Sequence, residues 1–306
     1  MLNNKVTVLQ MAIWIISAVA GPILYYSNGN WFGLFPISVA LSLLTGLAVC
    51  YGRHWEGPVY NFVQFLWIGI LLSQFLIYSA KCWPTGEKAF PIVPLTLLIL
   101  SGISATKGNK NAVNGISVIF WISLLLLGGV IAAGIENIKL EFLQPNKREI
   151  PPYIILALLL PAAVGFIKCE KSNILPFAVV PFFVTAVSLW IAGSLSPELS
   201  EIISWPFYEA AKSVELFSVA KRFESLVSVG VTLCNYCLYS LLFCAAASIG
   251  EKCGKKREAI IATVGISATL MLLGFRIDPI ISTVISMILW VILPLFGMLK
   301  KKEKEL

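Results

Sequence analysis

Ten blocks of roughly twenty apolar residues follow one another along the 306-residue chain, parted only by short runs of charge, Gly/Pro and Asn/Ser. No other feature narrows the fold as much. A helix needs about 20 apolar residues to cross the hydrocarbon of a bilayer, and lipid accepts only segments whose backbone groups are satisfied internally. The blocks predict an all-α polytopic membrane protein with about ten spans, at 7–28, 31–52, 58–80, 90–107, 112–135, 151–169, 175–194, 222–249, 257–275 and 279–299. These spans use about two-thirds of the chain at that length per span. The whole of 1–306 is therefore expected to be a single transmembrane domain. Residues 1–28 read as the first membrane helix rather than a signal peptide, because the apolar run is too long and its basic flank is Lys5 alone.

Hydrophobic residues make up 58% and charged residues 13%, with a mean hydropathy of +0.85. Soluble domains average about 45–50% and about 25%, so the composition excludes a water-soluble enzyme, a nucleic-acid-binding domain and a disordered chain. The net charge of +7 is read as positive-inside topology and affinity for anionic headgroups, not for nucleic acid. With the N-terminus inside, 14 of the 23 basic residues fall on the inner side. Both termini, including the basic tail 300–306, are thus expected in the cytoplasm. His54 and Asp278 are the sole histidine and the sole aspartate. That scarcity argues against a metal cluster, and neither a cofactor nor an enzymatic activity is expected. The seven cysteines imply no disulfide framework, and Cys234 and Cys237 are expected to serve packing.

Two connections organise the spans. Residues 136–150 (ENIKLEFLQPNKREI) divide the chain into a first half, 1–135, and a second, 151–299, each with five spans. That division hints at an internal repeat. Residues 195–221 place Leu199, Ile202, Ile203, Phe207, Ala210 and Val214 at helical spacing against acidic residues, with Trp205-Pro206 as a break. The segment is expected to lie on the outer membrane face.

Helix breakers occupy corresponding places in the two halves. The first span carries Ala18, Ala20, Gly21 and Pro22, and the sixth carries Pro161, Ala162, Ala163 and Gly165. Proline removes a backbone donor and glycine tolerates unusual dihedrals, so broken helices 1 and 6 are expected to free backbone groups for a ligand. The alternative is that small residues and proline serve close helix packing. Gln64, with Tyr60, Asn61, Ser73 and Gln74 on the third span, either lines a cavity or bonds neighbouring helices. Glu224 opens the eighth span beside Lys221 and Arg222. It is the one candidate carboxylate for a substrate amine or a coupling ion, with an interfacial ion pair as the alternative.

Two segments resemble a known family. WPFYEAAKSVELFSVAKRFESLVSVG (205–230) is similar to the signature of GerAB-type spore-germination membrane subunits, in which an aromatic-Pro pair precedes a short helix and an ERLE-like motif opens the eighth span. That motif reads KRFE here, at 221–224, so Arg222 and Glu224 match while Lys221 replaces the first Glu. ENIKLEFLQP (136–145) resembles the connection after the fifth span. The family's Gly-Phe-Glu-like element is not evident in PAAVGFIKC (161–169). The resemblance implies the amino acid–polyamine–organocation superfamily, its five-plus-five inverted repeat, and a bacterial inner, or spore, membrane. It also implies a germinant receptor in which such a subunit binds a small amino acid such as L-alanine alongside A-type and C-type subunits.

The expected site therefore comprises Ala18, Ala20, Gly21, Pro22, Gln64, Pro161, Ala162, Gly165 and Glu224. A germinant receptor leads, with an amino acid permease outside germination and a non-binding structural subunit as alternatives.

Overall fold

Each apolar block folds as a helix, and the residues at the block edges supply the stops. Thr7 and Gln10 form a reciprocal capping box at the start of the first helix, Asn30 caps the second and Asp278 the last, and proline opens the third at Pro58. The computed structural model describes residues 7–52, 57–80, 92–144, 149–167, 174–214 and 224–297. In chain order the helices are α1 (Val8–Tyr26), α2 (Trp31–Tyr51), α3 (Pro58–Ser79), α4 (Ile92–Thr106), α5 (Asn109–Ala133), α6 (Pro152–Leu159), α7 (Leu175–Ser194), α8 (Pro197–Ile202), α9 (Pro206–Lys212), α10 (Glu224–Lys252), α11 (Lys256–Leu272) and α12 (Pro279–Met287). No strand occurs among the described residues. A helix falls in each of the ten expected spans; the sixth is α-helical only to Leu159 and continues as a 3-10 stretch to Phe166, and the last passes from α12 through a π turn over Ile288–Ile292.

Seven of these helices are long and apolar enough to cross a membrane, while α4 and the stretch Pro152–Phe166 are shorter. Burial sorts them into two roles. In α1 and α10, 72% of the most apolar window is buried, against 22% for the α5 region and 28% for α12 with its extension. The peripheral helices turn large apolar side chains outward, among them Trp121, Leu125, Phe182, Ile261 and Phe296. A surface of that kind needs a hydrocarbon solvent. The chain is an all-helical integral membrane protein.

The centre is α1 against α10, with α5, α7 and the end of α6 around them. Trp14, Ile15, Ile23, Tyr239 and Phe243 are fully buried there. Polar side chains tie the helices together through backbone carbonyls: Ser267 Oγ donates to Gly69 O at 3.0 Å, Tyr239 Oη to Phe75 O at 3.0 Å and Trp190 Nε1 to Ile131 O at 3.2 Å.

Three local features differ from expectation. Helix α1 runs as continuous α-helix through Gly21 and Pro22, so it is not broken. Proline deletes a single backbone bond, and the surrounding helices hold the turn closed, as they also do at Pro36 in α2 and Pro181 in α7. The sixth span does change, but it tightens into a 3-10 helix over Leu160–Phe166 instead of unwinding. The segment around Trp205 does not lie on the membrane face. Trp205, Phe207, Ala210 and Ala211 are buried, and α9 packs on α1, α7 and α10 with Trp205 Nε1 donating to Leu24 O at 3.1 Å.

Candidate functional site

Pro22 carries no N–H, so the carbonyl of Ala18 has no donor four residues on. Gly21 lies beside it, and Asn235 of α10 packs directly against its backbone: a Cβ at position 21 would fall inside the contact distance of Asn235 Oδ1. Asn235 is 1% exposed, and neither Oδ1 nor Nδ2 has a hydrogen-bond partner among the described residues. A buried carboxamide left in that state costs about 1–3 kcal/mol. Asn235 thus sets a buried polar group against α1 at Gly21, with the Ala18 carbonyl about one turn earlier on the same helix. Ser17, one turn before Gly21 on α1, lies beside Cys237, two residues after Asn235 on α10.

Above this point sits an aromatic layer. Tyr78 of α3 donates its hydroxyl to Gly21 O at 2.7 Å, while its ring meets Tyr25 and Tyr26 at centroid distances of 4.7 and 5.1 Å. Tyr26 stacks on Tyr153 of α6 at 4.5 Å with 9° between planes, and Trp205 lies 5.2 Å from Tyr25. Helices α3 and α6 and the Trp205 segment therefore close one end of α1 over Gly21.

Cavities flank the sealed centre at both ends. At the Tyr26 end, a cavity of about 470 Å³ is lined by Tyr26, Asn28, Glu149, Ser200, Ser204 and Pro206, and a smaller one of about 110 Å³ by Tyr26, Tyr78, Tyr153, Gln74 and Arg276. At the opposite end, a cavity of about 360 Å³ is lined by Asn109, Gly165, Phe166, Ser248, Glu251 and Lys252.

The expected site residues divide accordingly. Ala18, Ala20, Gly21 and Pro22 are buried on α1, and Pro161 and Ala162 are buried in the 3-10 stretch that packs on both α1 and α10. Gly165 sits lower, on the wall of the 360 Å³ cavity. Gln64 is not part of this group. It is fully buried between α3 and the far end of α12, donating to Leu289 O at 3.2 Å and accepting from Trp290 Nε1 at 2.7 Å. A π turn over Ile288–Ile292 offers that carbonyl, which Tyr60 also reaches at 3.3 Å. Gln64 joins helices, and its amide is occupied in doing so. Glu224 begins α10, but its side chain, with Lys221, Arg222 and the tail 300–306, lies outside the described residues.

Asn235 is the residue that sequence reasoning passed over. Its signal was available: a carboxamide deep in an apolar span is expensive unless it bonds a neighbouring helix. It was hidden between Cys234 and Cys237, where the spacing drew attention to the thiols; both are free and buried.

No protein-family model matches the chain, and no curated protein is significantly similar to it.

Proposed function

We propose that this chain is a ten-span transporter-fold subunit that binds a small amino acid between α1, the sixth span and α10, and that it serves as the membrane subunit of a spore germinant receptor. The observation that carries the binding reading is Asn235: a buried carboxamide with no hydrogen-bond partner among the described residues, packed against Gly21 beside Pro22, with cavities toward both ends of the bundle. A carboxamide offers both a donor and an acceptor, which suits the carboxylate and the ammonium of an amino acid. The Ala18 carbonyl adds a second acceptor. Small residues at 18, 20, 21 and 162 let the helices pack closely here, so a ligand enters as the helices part and only a small one fits.

The pairing of helices supports a five-plus-five repeat. Exchanging spans one to five for spans six to ten maps α1·α5 onto α6·α12, α1·α7 onto α6·α2, α3·α11 onto α10·α4 and α3·α4 onto α10·α11, and all eight pairs are in contact. The pairs α2·α7, α3·α10 and α4·α11 map onto themselves. The germination role rests on the likeness of residues 136–145 and 205–230 to GerAB-type subunits. It brings with it A-type and C-type partner subunits, a spore inner membrane and cytoplasmic termini.

The test is binding of a radiolabelled amino acid panel to purified protein. Saturable binding of at least one small amino acid, reduced in Gly21→Leu and in Gly165→Leu, is expected. No saturable binding, or binding that both variants retain, overturns the reading. The cavities at both ends also favour a permease as the second reading, and uptake into proteoliposomes separates transport from sensing.

A further inference from the structure

At the Tyr26 end, two opposite charges flank one aromatic side chain. Tyr26 is the wall shared by the 470 Å³ cavity, which carries Glu149, and the 110 Å³ cavity, which carries Arg276. Each charge sits on backbone held by a carboxamide. Gln74 grips both neighbours of Arg276, donating from Nε2 to Phe275 O at 3.0 Å and accepting at Oε1 from Ile277 N at 3.3 Å. Asn28 donates from Nδ2 to the main-chain oxygen of Glu149 at 2.9 Å. Asp278, two residues beyond Arg276, is engaged in capping α12 through Ile280 N at 2.7 Å.

Fixing the backbone under a surface charge lowers the ordering cost of a ligand that meets it. A carboxylate with serine hydroxyls beside it fits an ammonium group, and a guanidinium bordered by tyrosines fits a carboxylate. We propose that the two cavities around Tyr26 form a second recognition site, at the outer mouth, for a small zwitterion: Arg276 takes the carboxylate, Glu149 with Ser200 and Ser204 takes the ammonium, and Tyr26 lies against the chain between them. The proposal rests on the outward orientation of this end adopted above, but not on binding at Asn235. The site holds a free ammonium and a free carboxylate on one molecule, which an α-amino acid or a short peptide supplies. The aromatic layer beneath it separates this site from Gly21.

The test uses full-length protein in nanodiscs with the central point removed by Asn235→Leu, or by Asn235→Ala if the leucine variant does not elute as a folded species. Labelled L-alanine and L-alanyl-L-alanine are the probes, and ethylamine and propionate the single-charge competitors. The expected result is residual saturable binding of at least one probe in the Asn235 variant. That binding weakens by about tenfold or more when Glu149→Gln or Arg276→Gln is added, and neither competitor displaces it at equal concentration. L-Alanine alone retained assigns the site to amino acids, and the dipeptide alone assigns it to peptides. No binding in the Asn235 variant, beside binding in the wild type, overturns the outer site and leaves the central one standing. Binding equal in both proteins and lost in Glu149→Gln supports the outer site and overturns the central one. Binding in the Asn235 variant that both charge substitutions leave unchanged overturns the outer site.

Discussion

At position 21 the α1 backbone and the Asn235 side chain meet with no space for a methyl group. Gly21→Ala therefore lowers the melting temperature of the purified protein, by the equivalent of about 1–3 kcal/mol, since overpacking a dense interior forces neighbours to move. Asn235→Ala in the same molecule relieves the clash, and the double-mutant cycle shows a coupling of about 1 kcal/mol or more. Additive losses would show that the two residues do not meet. Gln64 gives a contrasting outcome. Gln64→Leu orphans Trp290 Nε1 and the second acceptor bond at Leu289, costing about 0.5–2 kcal/mol, yet ligand binding stays at the wild-type level because the residue is remote from Gly21. Lost binding at unchanged stability would return Gln64 to the site. The residue scale was the least legible in sequence: Gln64 and Asn235 are both carboxamides on apolar helices, and only the packing reveals that one is bonded and the other is not.

Among elements, the cap formed by α9 and the preceding Trp205 is the one on which access to the centre depends. Trp205 is buried, bonded to Leu24 O and stacked on Tyr208 at 4.6 Å. Ser27, fully buried and 2.9 Å from Ser188 Oγ, reports on it. In a Ser27→Cys background, Trp205→Ala raises the rate of labelling by a membrane-impermeant maleimide by about tenfold or more, because opening there no longer breaks the indole contacts. An unchanged rate would mean that α9 does not guard this end. The ends of the helices were readable because charge, proline and capping residues interrupt the apolar blocks. The inward packing of Trp205 was not, since an apolar face reads the same whether it meets lipid or protein. The 3-10 stretch at Leu160–Phe166 and the π turn at Ile288–Ile292 depend on neighbours distant in sequence. The breakers at Pro22 and Pro161 marked where helices are weak, but only tertiary contacts decide that α1 stays continuous and that the sixth span tightens.

Across the whole molecule, the low charge content was the surest guide. It places the chain in lipid, and the outward-facing apolar side chains of α5, α7, α11 and α12 agree. It also concentrates polar chemistry at few places: one buried carboxamide at the centre, and charged residues at the two ends. The proposal that the centre is a binding point predicts that its polarity, not its volume alone, holds the ligand. Asn235→Leu keeps the side chain near its original size and removes both hydrogen-bonding atoms. Equilibrium binding of a labelled small amino acid to wild type and to this variant, each reconstituted in nanodiscs in the Glu149→Gln background, is the most direct measurement. Saturable binding is expected in the first and a loss of about tenfold or more in the second, the equivalent of one charge-assisted hydrogen bond. Equal affinities in the two would contradict the proposal.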